Sequence, residues 1–220
     1  SKYNYDLTIE RFPYLKDKTE MIYNSFNFKL INEKASLETL PKSKVPILLC
    51  LGRLDEVKNP LKLLEVAKKL KEKKIKFKLQ YIGHGDLMDE LKKRIKSFDL
   101  ENEVEVLGFK ENPYPYIKNS TLLVQMSKYE GFPTIFAEGL CLGKPFVCAK
   151  VGGAYELSDD NKCGYVIDNM DVDLFVEKVI HLLTDKKLYH QFSEHGKKNI
   201  DKFTIDKQIS SFEKLLDSIK

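Results

Sequence analysis

From residue 45 onward, short apolar runs alternate with stretches whose apolar residues recur every three or four positions. Residues 45–51 (VPILLCL) predict a buried strand, and Asn59-Pro60 then opens a helix in which Leu61, Leu64, Ala67 and Leu70 recur at helical spacing. The rhythm repeats. Further strands are predicted at 77–82, 104–107, 121–126, 145–149 and 164–167, with helices or helical turns around 87–98, 115–119, 134–142 and 154–157. Three last helices are predicted at 171–184, 186–200 and 206–219. Near-continuous apolar strands alternating with amphipathic helices specify a parallel sheet covered on both faces, an α/β, Rossmann-like domain with C-terminal helices. Ligands of such sheets lie beyond the carboxyl ends of the strands, so function is sought in the loops that follow strands.

The first 44 residues break this rhythm. Residues 19–23 (TEMIY) predict one strand ending at Asn24-Ser25, and 26–44 are polar and irregular. The expected division is a linker with the edge of another domain at 1–44, the Rossmann-like domain at 45–203, and a final helix at 204–220. No apolar run approaches the roughly 20 residues needed to span a bilayer. Residues 1–10 are polar and lack the apolar centre of a secretory signal.

Charge narrows the partners. The 220 residues carry 37 basic and 33 acidic side chains, a net +4, which describes a mixed surface and not a basic field. The Lys-rich stretch 68–78 reads as a solvated helix face running into the next strand. It lacks the Arg clusters and interleaved aromatics of a nucleic-acid surface, so no nucleic-acid partner is expected. Cys50, Cys141, Cys148 and Cys163 show no CxxC spacing, and Cys50 and Cys148 fall in apolar runs where a free thiol behaves as a small hydrophobe. That usage suits a reducing cytoplasm. His84, His181, His190 and His195 form no HExxH or other ligand spacing, so no metal is expected. There is no GxSxG elbow for acyl transfer, and no Walker A or GxGxxG pattern after the first strand.

Three loops after strands gather candidate chemistry. In 52–60 (GRLDEVKNP), Arg53 and Lys58 precede a helix N-terminus: they either neutralise a diphosphate, helped by the helix dipole, or are two exposed surface cations. In 127–133 (SKYEGFP), Glu130 stands before Gly131 and a helix-starting Pro133, with Glu138 eight residues on. Those carboxylates either hold hydroxyl-bearing groups, as carboxylates after strands hold ribose, or serve as a helix-dipole partner and a solvated residue. Gly152-Gly153 after the fifth strand is either an amide cradle for an anion or a tight turn.

Together these segments resemble the C-terminal, donor-binding domain of a family 4 GT-B fold retaining glycosyltransferase, the glycosyl transferases group 1. The strongest piece is 127–153, SKYEGFPTIFAEGLCLGKPFVCAKVGG, which is similar to that family's E-x7-E block, Gly-Lys-Pro strand and Gly-Gly turn. GRLDEVKNP at 52–60, YIGHGDLMDELKKRIKSFDL at 81–100, VEVLGFKENPYPYIKNS at 104–120 and TEMIYNSFN at 19–27 extend the resemblance over roughly 20–217. The resemblance implies catalytic roles for Glu130, Arg53 and Lys58. Arg53 and Lys58 would bind the diphosphate of a sugar nucleotide and stand in for a metal, so no cofactor is expected. Glu138 would accept the ribose hydroxyls, and Glu130 would contact the transferred sugar near its reacting carbon. Gly131, Phe132, Pro133 and Thr134 would lie against sugar and phosphate, chiefly through amides. Gly108 and Phe109 would line the base pocket through backbone groups.

Departures from the family pattern are Gly139 after Glu138, where Ala is usual, His84 in place of a frequent Asp, and no Trp anywhere in the chain. The resemblance implies transfer of a hexose or hexosamine from a UDP-linked or other nucleotide-diphosphate sugar to a glycan or lipid-linked acceptor. The acceptor would be held mostly by an N-terminal domain for which 1–44 is too short. The implied setting is cell-envelope polysaccharide synthesis, cytoplasmic, at the inner face of the membrane. Alternatives are an epimerase-like GT-B enzyme and a non-catalytic nucleotide-sugar-binding domain.

Overall fold

The computed structural model describes residues 1–219. Six strands form one parallel sheet: β1 (Ile47–Leu51), β2 (Lys78–Ile82), β3 (Val104–Val106), β4 (Leu122–Gln125), β5 (Phe146–Ala149) and β6 (Gly164–Ile167), in the order β3-β2-β1-β4-β5-β6. The helices are α1 (Lys2–Arg11), α2 (Phe28–Lys34), α3 (Pro60–Glu72), α4 (Met88–Ser97), α5 (Tyr114–Asn119), α6 (Thr134–Cys141), α7 (Ala154–Ser158), α8 (Val172–Thr184), α9 (Lys186–Asn199) and α10 (Ile205–Ile219). Every strand and helix predicted from residue 45 on forms, with ends shifted by at most two residues.

Strand residues alternate between two cores because the side-chain period of a strand is two. Leu48 and Cys50 of β1 join Val124 of β4 and Val147 of β5 in a core closed by α3, α4 and α8. Leu49, Leu123, Phe146 and Cys148 face the other way, against Ile31 of α2, Ile117 of α5 and Phe136 of α6. All four cysteines are free and buried, and burial pushes the Cys50 thiol up to about 12. They act as core volume.

The N-terminal segment differs from its prediction. Residues 19–23 form no strand. Tyr23 packs edge-on against Phe203, and Phe26 forms an isolated parallel bridge with Thr204. Gln208 of α10 donates to the Tyr23 carbonyl and accepts from Ser25, so this strand-like sequence is held by a side chain and not by a sheet edge. Within the presumed linker, α1 forms with Ser1 as its N-cap, yet buries none of its residues. No helix among the described residues is long and apolar enough to cross a membrane.

The strand order reverses between β1 and β4. β2 and β3 extend one way from β1, and β5 and β6 the other way from β4. The loops leaving β1 and β4 therefore diverge to opposite faces and open a crevice between them, the place where doubly wound sheets bind ligands.

Candidate functional site

Both loops at that crevice carry the residues singled out by the sequence, and they are laced together. The Lys58 ammonium lies 2.5 Å from the Glu130 carboxylate, with side chains only 22% and 12% exposed. The same Glu130 oxygen accepts from the Ser127 hydroxyl at 2.8 Å. Backbone chemistry fixes the two loops in register. The Lys128 backbone amide donates to the Val57 carbonyl at 2.8 Å, and the Asn59 side-chain amide donates to the Met126 carbonyl at 3.2 Å. Asn59 caps α3 in the left-handed conformation (φ 52°), which Asn tolerates better than most residues, and Pro60 then starts the helix.

Arg53 stands apart from the pair. Its side chain is 74% exposed, steered by Asp55 at 3.2 Å, while the other Asp55 oxygen caps the Lys58 amide. Arg53 lines a cavity of about 520 Å³ together with Gly52, Gly83, His84 and Phe109. A side chain at Gly83 is impossible as the backbone stands: a Cβ there would lie 1.9 Å from the Gly52 carbonyl oxygen. The close approach of the β1 and β2 ends that shapes the cavity thus depends on glycine. Phe109 is 69% exposed, with its ring roughly parallel to that of His84 at 6.0 Å. Gly108 is not part of this lining. Its carbonyl accepts from the Gly83 amide at 3.0 Å, and Phe109 lines the cavity next to it.

On the β4 side, Pro133 is the N-cap of α6 and supplies no side-chain hydrogen bond, so the first turn has no side-chain cap, although the Phe136 amide donates to the Pro133 carbonyl at 3.0 Å. Such an end favours an anion through its amides and dipole. The Phe132 ring turns away from the crevice into a cluster with Tyr23, Phe26 and Phe203, so only its backbone faces the crevice. The Gly131 carbonyl accepts from the Ser1 hydroxyl at 3.0 Å and the Asn4 amide at 3.3 Å. Of the two readings of Gly152-Gly153, the close turn wins at Gly152: its amide donates to the Glu130 carbonyl, and a Cβ would sit 2.6 Å from that oxygen.

Glu138 lies farther along α6, mostly buried, with the Tyr114 hydroxyl 3.5 Å away. Burial raises its pKa to about 7, against a smaller lowering by that hydroxyl. Ser127, Tyr114, His84 and the Phe109 side chain escaped the sequence reading as site residues. Ser127 meets Glu130 within one loop, three residues away, while Tyr114 reaches Glu138 from a helix distant in sequence, which no spacing along one loop reports. Among the described residues, no three His, Cys, Asp or Glu side chains converge as a metal set.

The model of one family, described as glycosyl transferases group 1, matches residues 32–199. A curated relative from Campylobacter jejuni, the N-acetylgalactosamine-N,N'-diacetylbacillosaminyl-diphospho-undecaprenol 4-alpha-N-acetylgalactosaminyltransferase, is 32% identical over 93% of this chain and 56% of its own length. The poly(ribitol-phosphate) alpha-N-acetylglucosaminyltransferase of Staphylococcus aureus is 27% identical over 71% of the chain and 32% of its own length. The chain therefore spans about half, or less, of these relatives. Among solved structures, a glycosyltransferase from Rickettsia africae superposes with a TM-score of 0.80 at 21% identity, covering 93% of this chain and 58% of that one. HepE of Anabaena, solved in complex with UDP-glucose, superposes at 0.78 with 20% identity over 91% of this chain and 57% of its own. At such identities the structures establish the fold.

Proposed function

The chain belongs to the glycosyl transferases group 1, and from that premise we propose that it is the donor-binding half of a retaining glycosyltransferase. The donor is a hexose or hexosamine carried on a nucleotide diphosphate, UDP by preference, and the acceptor is a glycan or lipid-linked sugar of the cell envelope. The names of the Campylobacter and Staphylococcus relatives support that setting. The observation that carries the reading is the Lys58–Glu130 pair at the β1–β4 crevice near the α6 N-terminus, with Arg53, tied to the Lys58 loop through Asp55, lining an open cavity.

This reading divides the labour among the groups at the crevice. The base enters the cavity at Phe109, and the diphosphate meets Arg53, Lys58 and the amides of Gly131 and Thr134. The ribose hydroxyls donate to Glu138, and the sugar lies toward Glu130. As the bond from the anomeric carbon to the diphosphate breaks, the two cations neutralise the leaving group. The acceptor oxygen bonds to that carbon on the same face, and its proton passes to the departing phosphate oxygen. In the domain division proposed, residues 45–203 hold the donor, and 1–44 and 204–220 serve the junction to an acceptor-binding domain. Association of the whole enzyme with the membrane face belongs to the same proposal.

Calorimetric titration of the chain with UDP, GDP and ADP tests the reading. Saturable binding of UDP, lost by tenfold or more in Arg53→Ala, is expected. No binding of any of the three, or an Arg53→Ala variant that binds as wild type, overturns it.

A further inference from the structure

Gln125, the last residue of β4, is 2% exposed, and among the described residues neither its Oε1 nor its Nε2 has a hydrogen-bond partner. A buried carboxamide left unpaired costs free energy that Leu or Met of similar size avoids. Native structures carry few such groups, and each asks for an account. The surroundings supply one. The position that a Cβ of Gly52 would occupy lies 3.5 Å from Gln125 Nε2 and 3.5 Å from Lys58 Cε. The unpaired amide and the Lys58 stem thus converge on the same glycine at the end of β1, while the Lys58 ammonium is drawn off to Glu130 at 2.5 Å.

We propose that Gln125 is a positioning residue for Lys58 in the donor-bound site, a role that rests on the diphosphate reading above. The resting pair occupies both groups the donor needs: Lys58 for the diphosphate and Glu130 for the sugar. When the diphosphate draws the ammonium away from Glu130, the carboxamide, which no partner fixes in either orientation, turns its oxygen to accept one of the three Lys58 N–H donors. The ammonium is then shared between phosphate and strand end. The amide that is unsatisfied in the resting site is satisfied in the occupied one, so the difference adds to donor affinity.

Gln125→Met keeps side-chain length and removes the hydrogen bond, and Gln125→Leu serves if the first variant does not fold. UDP affinity is measured for each in the wild-type and Lys58→Met backgrounds, by calorimetry and by NMR titration into the millimolar range, alongside Tm. Gln125→Met is expected to raise Tm by about 2 °C or more. It should weaken UDP binding about tenfold when Lys58 is present, the scale of one hydrogen bond to a charged group. No further weakening is expected in the Lys58→Met background. An equal loss in both backgrounds, an unchanged UDP affinity, or a fall in Tm overturns the assignment. Failure of the wild-type chain to bind UDP is a different result, and removes the donor-site reading itself.

Discussion

Glu138 is under two opposed demands. Burial between α5 and α6 holds its pKa at about 7, above the ordinary value of 4.5. A folded pKa above the unfolded one means that the protonated form stabilises the fold. That contribution is complete below about pH 4.5 and is lost as pH rises through about 7. Glu138→Gln is therefore expected to gain Tm relative to wild type at pH 8 and not at pH 5. Ribose hydroxyls, by donating to the carboxylate, favour its ionised form. UDP affinity should thus rise from pH 6 to 8 more in wild type than in Glu138→Gln, which retains only the nucleotide's own titration. Identical profiles would take Glu138 out of the site. Lys58 gives a simpler expectation. Lys58→Met leaves Glu130 in the crevice with Ser127 alone, and urea unfolding should show a loss of about 1–3 kcal/mol. A variant as stable as wild type would mean that the pair contributes nothing to the resting fold.

Among the elements, the sheet was legible because its strands are short, apolar on both sides and separated by strong punctuation such as Asn59-Pro60 and Gly83-His84-Gly85. The N-terminal segment was not. TEMIY carries a strand-like composition, but a strand needs a partner, and aromatic packing of Tyr23 with Phe203 took its place. α1 buries nothing, so it prints no apolar period to read. The site was half legible for the same kind of reason. Arg53, Lys58 and Glu130 follow strands in the sequence, whereas Tyr114 acquires its role only when α5 packs against α6. The close approach of the β1 and β2 ends is a more exacting meeting. Gly83→Ala should cost more than about 2 kcal/mol in denaturant unfolding, since the new methyl meets backbone and not a flexible side chain. A near-neutral result would show that the loops can separate without harm to the fold.

At the scale of the whole molecule, α1 is attached by polar contacts. Glu156 accepts the amides of Lys2 and Tyr3 at 3.0 and 3.2 Å, a carboxylate at a helix N-terminus, while Ser1 and Asn4 hold the Gly131 carbonyl. Glu156→Ala should speed amide hydrogen exchange over residues 2–11 and leave β1 and β4 protected; unchanged exchange in α1 would show that other contacts hold it. The chain spans roughly half the length of its Campylobacter relative. The Lys58–Glu130 pair has a consequence for life among competing solutes. A bare inorganic anion that approached Lys58 would have to strip away a carboxylate already seated there and leave that carboxylate with the Ser127 hydroxyl alone. On the donor reading proposed above, a sugar nucleotide would offer phosphate to one partner and hydroxyls to the other, and so compensate both sides of the exchange. On that reading the resting pair would favour a ligand that carries both kinds of group over the small anions of a cell.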